Sequence, residues 1–221
     1  MTAHSYSAIK AFEQCPRKFH DTKVVKLYPR EETEQTLYGT ELHRQAELHL
    51  LEGRPLDESF KFLQPIMDSL KQMPGRILCE HKMGVTESLL PCEFDSPLYW
   101  SRGIADLIIV DDENLTARVF DYKSGGNKYP DTDQLMLMAL LIFAHFPHIR
   151  RVTGGLLFVL KNTVSKYRVE REQADDLWWR WKERVAKLDN AYTHGRWPER
   201  SSGLCKRHCE VIHCAHNGRR S

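Results

Sequence analysis

Hydrophobic positions along the chain follow two periods, and the change from one to the other divides it. Over residues 34–51, Leu37, Leu42, Ala46, Leu48 and Leu51 return near helical spacing, and Gly53 follows as a stop signal. Ile9, Phe12 and Phe19 mark a shorter helix over residues 7–21, which Pro16 bends or ends. A third helix is expected over residues 56–73, closed by Pro74 and Gly75. From residue 76 the pattern turns β-rich. Strands are predicted at 76–85, 98–110 and 115–122; Pro91 and Pro97 sit in the loop between the first two, and residues 111–114 form a hairpin turn between the last two. Residues 133–146 read as a buried helix and 154–160 as a further strand. Residues 170–192 read as a long amphipathic helix, on which Trp178 and Trp181 are expected to pack inward while Trp179 points elsewhere. This order implies a mixed α/β core with N-terminal helices and a C-terminal extension, and no internal repeat interrupts it.

Composition constrains the reading without choosing a function. With 221 residues, 41% hydrophobic and 28% charged, one sizeable core and a single domain over residues 1–221 are expected. Within it, residues 1–75 would be the helical part, 76–195 the core and 196–221 a basic, cysteine-rich tail lying near Cys15. The longest apolar run, residues 135–144, is too short to span a bilayer. Residues 1–12 are polar where a signal peptide is apolar, so a cytoplasmic location is expected. The net charge of +2 hides an asymmetry: residues 1–30 and 196–221 each carry +4, which leaves −6 between them. Basic ends on an acidic middle suit a polyanionic partner or a solvated tail equally well.

Candidate chemistry is concentrated in RGIADLIIVDDENLTARVFDYKSG. If residues 111–114 form the turn, Asp106 lies opposite Val119, and Val119, Asp121 and Lys123 share its face of the sheet. Two carboxylates and an ammonium then meet at one end of a hairpin. Close like charges in a partly buried setting are compensated by a divalent cation, and carboxylate oxygens suit Mg²⁺ or Mn²⁺. Such an ion polarises a phosphoryl oxygen and acidifies water, and Lys123 could orient that water or offset developing charge. A bare Asp-x-Lys is also a common surface ion pair. Glu80, on the preceding strand, is a further candidate, and His49 is expected at the surface.

Five segments in order, CPRKF, GTELHRQAE, RGIADLI, FDYKSG and DQLMLMA, resemble the RecB-like branch of the PD-(D/E)XK nucleases over roughly residues 5–160. The resemblance implies the PD-(D/E)XK core, a mixed central sheet flanked by helices. It also implies a metal site built from His43, Asp106, Asp121 and the main-chain carbonyl of Tyr122, with Lys123 as the catalytic lysine. Gln134 would help set the site and hold DNA. Where the family motif ends in a tyrosine, this chain has Met138. Lys128 and Tyr129 lie where DNA could pass.

Cys79 and Cys92 are expected to be packed as small apolar groups. Cys15, Cys205, Cys209 and Cys214 are different, because six cysteines without a secretory signal point to metal binding. The CRISPR adaptation exonucleases and AddB-type subunits carry a [4Fe–4S] cluster with one ligand before and three after the nuclease motifs, and these four cysteines resemble that arrangement. Their x3 and x4 spacing is looser, however, and His208, His213 or His216 could complete a Zn²⁺ site instead. The function expected is a Mg²⁺- or Mn²⁺-dependent DNA exonuclease acting on single-stranded or end-frayed DNA. Recombination, repair or phage DNA metabolism would be its setting, with an unidentified recombination or helicase protein as a possible partner. A non-catalytic DNA-binding or assembly module is the alternative.

Overall fold

A computed structural model describes residues 4–28, 32–126 and 130–219 of the protein. The chain folds into two compact units, one spanning residues 33–178 and the other combining 4–32 with 179–221.

The first unit is built on a six-stranded sheet. Its strands are β1 (Arg76–Val85), β2 (Pro91–Cys92), β3 (Ser101–Asp111), β4 (Thr116–Lys123), β5 (Arg151–Phe158) and β6 (Thr163–Glu170), in the spatial order β2-β1-β3-β4-β5-β6. All neighbours are antiparallel except β4 and β5, whose parallel pairing is made possible by the crossover helix α5 (Asp133–His145). Every residue from Leu135 to Phe143 is buried, as expected for a helix covering a sheet. The helices α3 (Glu34–Glu52) and α4 (Gln64–Lys71) cover the opposite face, where Leu42, Ala46, Leu63 and Met67 join Leu107, Ile109, Phe120 and Tyr122 in one cluster. The Thr33 side chain caps α3, and Gly53, in the left-handed region at φ 69°, ends it. The mixed sheet flanked by helices is the α/β core expected from the sequence.

Several boundaries differ for identifiable reasons. Residues 56–73 form no single helix: a 3₁₀ segment, Glu58–Leu63, precedes α4, because Pro65 has no amide proton to donate and suits only a first turn. The strands β2 and β6 were not predicted; β2 is two residues long, and β6 alternates only weakly at the sheet edge. The turn between β3 and β4 falls later than expected. Val110 pairs with Ala117 rather than Leu115, and the non-glycine Leu115 takes φ 53° to close the turn. The slip is by an even number of residues, so the side chains paired within the ladder keep their faces; Asp106 lies beyond its last pair. His49 is buried and not on the surface; its Nδ1 lies 2.7 Å from the Arg54 carbonyl, which anchors the chain leaving α3.

In the second unit α1 (Tyr6–Gln14), α2 (Pro16–Phe19) and a π-helical turn (His20–Val24) replace the single bent helix. Cys15 is extended and caps α2, its sulfur accepting from the Lys18 amide. The last helix, α6 (Ala174–His194), runs across the division between the units. Trp178 and Trp181 on it are buried while Trp179 is 64% exposed, as its helical spacing predicts. Among the described residues no helix is long and apolar enough to cross a membrane.

Gly154 carries a steric requirement. Its φ of +153° and the Val119 carbonyl, which a Cβ would penetrate, leave no room for a side chain where β5 joins β4. Gly154→Ala should destabilise the fold by about 1–3 kcal/mol, read as a lower urea midpoint.

Candidate active site

The site forms where β3 and β4 part. Their ladder ends at Leu107 opposite Phe120, and the next residue on each strand is an aspartate. Asp106 turns toward α3: its Oδ2 accepts the Tyr122 amide proton at 2.8 Å, and its Oδ1 lies 3.5 Å from His43 Nδ1. Asp121 turns toward α5, where Gln134 Nε2 donates to its Oδ1 and Lys123 Nζ lies 2.6 Å from its Oδ2. Lys123 also donates to Gln134 Oε1 at 3.0 Å. Asp121, Lys123 and Gln134 therefore hold one another in a closed ring of contacts. The two aspartates meet at the strand tips from opposite layers of helices, where the sequence had suggested one regular face.

A break in strand alternation supplies a third carboxylate. Cys79 packs in the α3 core, so a regular strand would send Glu80 to the other side. Glu80 instead has φ 44°, and its Oε1 lies 3.4 Å from His43 Nδ1. The β1–β3 ladder is regular on either side, pairing Cys79 with Leu107 and His81 with Ala105. His43, Glu80 and Asp106 thus present donor atoms that all lie within 4.8 Å of one another.

The electrostatics suit a cation. Burial, followed by the Asp121 carboxylate, pushes Asp106 up to about 7, against the opposing effects of His43 and the Tyr122 amide. Burial alone would lower His43, but Glu80, Asp106 and Asp121 outweigh it and raise it. Asp121 Oδ2 is buried and, despite its ion pair with Lys123, no donor approaches it at a hydrogen-bonding angle. The donors of His43, Glu80 and Asp106 form a set that fits a divalent ion, whereas Asp121 stands outside that group and is held by the Lys123 ammonium. The Tyr122 ring lies edge-on to His43, and its buried hydroxyl has no hydrogen-bond partner.

The remaining candidates sort clearly. Met138 is buried, and its terminal methyl occupies the space where Gly103 lacks a side chain, so it fills the core instead of reaching outward. Lys128 and Tyr129 lie outside the described residues. In the second unit, Cys15, Cys205, Cys209 and Cys214 line one pocket together with His216. Amide protons of Lys18 and Arg200 point at Cys15 Sγ from 3.5 and 3.4 Å, and that of Ser202 at Cys205 Sγ from 3.4 Å. His213 is held elsewhere, by Tyr28, Asp21 and Arg17. That buried Asp21 network had no signal in the sequence, because its members are nearly 200 positions apart.

The family model described as the PD-(D/E)XK nuclease superfamily matches residues 3–214. The chain belongs to this superfamily. Membership implies a metal-dependent nuclease hydrolase with DNA as its substrate class, and a cluster of donors that fits a divalent ion is present. Among solved structures, this PD-(D/E)XK chain is similar to a protein of Eubacterium rectale provisionally named an exonuclease, at 11% identity and TM-score 0.53, covering 97% of this chain and 87% of that one. It also aligns with the protein SSO0001 at 13% identity and TM-score 0.48, covering 98% of this chain and 88% of that one. No curated protein matches it in sequence.

The raised Asp106 sets a pH dependence for the metal-free protein. Between the ordinary carboxylate range, about pH 4, and about 7, the folded state binds a proton that the unfolded chain has released, so stability from this group falls as pH rises. His43 acts in the same sense, since a raised histidine contributes below its ordinary value and loses that contribution as pH rises through its folded value. In EDTA, urea unfolding of Asp106→Asn should gain on the wild type across this window. A difference independent of pH would contradict the burial argument.

Proposed function

We propose that this chain is a DNA exonuclease of the RecB-like branch, acting on single-stranded or end-frayed DNA with Mg²⁺ or Mn²⁺. The observation that carries the reading is the meeting of the His43–Glu80–Asp106 donors with the Asp121–Lys123–Gln134 ring at the parted strand tips. His43, Asp106, Asp121 and the Tyr122 carbonyl would hold the ion. When bound, it would supply Lewis acidity to a phosphoryl oxygen and lower the pKa of water. Lys123 is held by Asp121 and Gln134, so its ammonium is fixed where negative charge develops on the phosphate. Gln134 sets Asp121 and Lys123 in place at once. The basic segments 1–30 and 196–221 would hold the phosphate backbone.

The four thiols around one cavity support a [4Fe–4S] cluster ligated by Cys15, Cys205, Cys209 and Cys214. The cluster would tie the 196–221 tail to the chain at Cys15 and act as a structural staple. A Zn²⁺ site using His216 is the alternative that the same cavity offers.

Lys123→Ala should lower kcat on labelled single-stranded DNA with Mg²⁺ by roughly 10²- to 10⁴-fold, while DNA binding persists. Undiminished cleavage by the Asp121→Ala/Lys123→Ala double variant would remove the catalytic assignment. DNA binding by the wild type with no metal-dependent turnover would favour the assembly-module reading. For the second site, anaerobically purified protein should show broad visible charge-transfer absorption and bound iron, both lost in Cys15→Ser. Stoichiometric zinc in a colourless protein would replace the cluster assignment and leave the nuclease reading intact.

A further inference from the structure

We propose that Glu80 is a direct ligand of the catalytic divalent ion, a carboxylate beyond the His43, Asp106, Asp121 and Tyr122 set. The inference rests on the nuclease reading above and refines its metal centre.

Three observations converge on Glu80. First, its Oε1 and Asp106 Oδ1 lie 3.4 and 3.5 Å from the same atom, His43 Nδ1, and the three donors fit around one ion. Second, compensation of charge is unequal among the three carboxylates. Asp121 has its own ammonium, Lys123 Nζ at 2.6 Å, and an amide from Gln134. Among the described residues, the cationic partner recorded for Glu80 and Asp106 is His43 alone, and it is a cation only when protonated. Arg44 lines the same groove as Glu80 but is committed to Glu41 through two hydrogen bonds of 2.8 and 2.6 Å. A divalent ion bound between Glu80 and Asp106 supplies the missing positive charge, and the imidazole then serves as a neutral ligand.

Third, the backbone is bent to bring Glu80 there. At φ 44°, in mid-strand, a glutamate sits in a conformation that glycine favours. The bend puts Cys79 and Glu80 on the same side of the sheet, one in the α3 core and the other at His43. A half-exposed histidine–carboxylate pair is too weak a return for such a conformation. A ligand to an ion is a sufficient one. Glu80 also lines an open groove with Gly39, Thr40, His43, Arg44 and Glu47, so an ion held there faces the solvent from which DNA arrives.

The test uses the full-length protein and Mn²⁺ alone, with binding followed by calorimetry and by the EPR signal of free Mn²⁺. Asp106→Asn is the reference variant. Glu80→Gln removes the ligand charge at constant shape, and Glu80→Gly removes the ligand and relieves the left-handed backbone. Both Glu80 variants should bind Mn²⁺ at least about tenfold more weakly than wild type. In EDTA, Glu80→Gly should unfold at or above the wild-type temperature, because relief of the left-handed backbone and of carboxylate repulsion offsets loss of the half-exposed pair with His43. Wild-type Mn²⁺ affinity in both Glu80 variants, with binding lost in Asp106→Asn, would overturn the inference and leave the nuclease reading standing. Lower unfolding temperatures of both metal-free Glu80 variants would assign Glu80 a structural role and overturn it equally. Wild-type affinity in Asp106→Asn as well would overturn the metal centre itself.

Discussion

The repulsion of carboxylates held together at the parting of β3 and β4 is the constraint around which the first unit is organised. The sheet core is apolar up to Leu107 and Phe120, and the next residue on each strand is an aspartate with little water around it. Burial and mutual repulsion oppose ionisation there, which is why Asp106 is pushed up to about 7. Each layer of helices answers this from its own side. The helix α3 brings His43 to Asp106 and Glu80, and α5 brings Gln134 to Asp121 and Lys123. The arrangement favours positive charge at a point fixed by main-chain geometry, as transfer of a phosphoryl group requires.

The helices can do this because their other residues are fixed by apolar contact. His43 lies one position after Leu42 and three before Ala46, both fully buried, so its direction is set by the α3 core. Gln134 immediately precedes the wholly buried stretch of α5. Met138, one helical turn later, fills the gap at Gly103, so α5 can lie close against β3. The candidate site side chains are thus the polar ends of buried elements.

The second unit packs Ile9, Phe12, Phe19, Trp181 and Leu188 in its interior and meets a different problem at its cysteine tail. Cys209 and Cys214, with Val211, form a small cluster against Tyr28. The π-helical turn after α2 carries Asp21, buried among Arg17, His20 and His213. Arg17 and His213 compensate the buried carboxylate, so the turn and the cysteine tail are joined by charge as well as by packed rings. A bound cofactor would reinforce a cavity whose walls are already drawn together.

Much of this was legible in sequence because local patterns determine it. Helical periodicity placed α3 and α5, strand composition placed β1, β3 and β4, and motif order singled out His43, Asp106, Asp121, Lys123 and Gln134. An even slip in the turn left the faces of the paired residues unchanged, but the expected common face of Asp106 and Asp121 was lost where the strands part. The grouping of Cys15 with three cysteines nearly 200 residues later was suggested by chemistry and resemblance, with no periodicity to support it. What only the tertiary structure decided depends on backbone angles and on contacts remote in sequence. Glu80 reads as an ordinary polar residue in RILCEHK until its positive φ turns it beside Asp106, and His49 reads as surface until the chain after α3 folds back over it. The sequence by itself determined which groups could do chemistry, since identity and local spacing are one-dimensional. Which of them share a site was decided by strand divergence and helix packing, which arise only when distant segments meet.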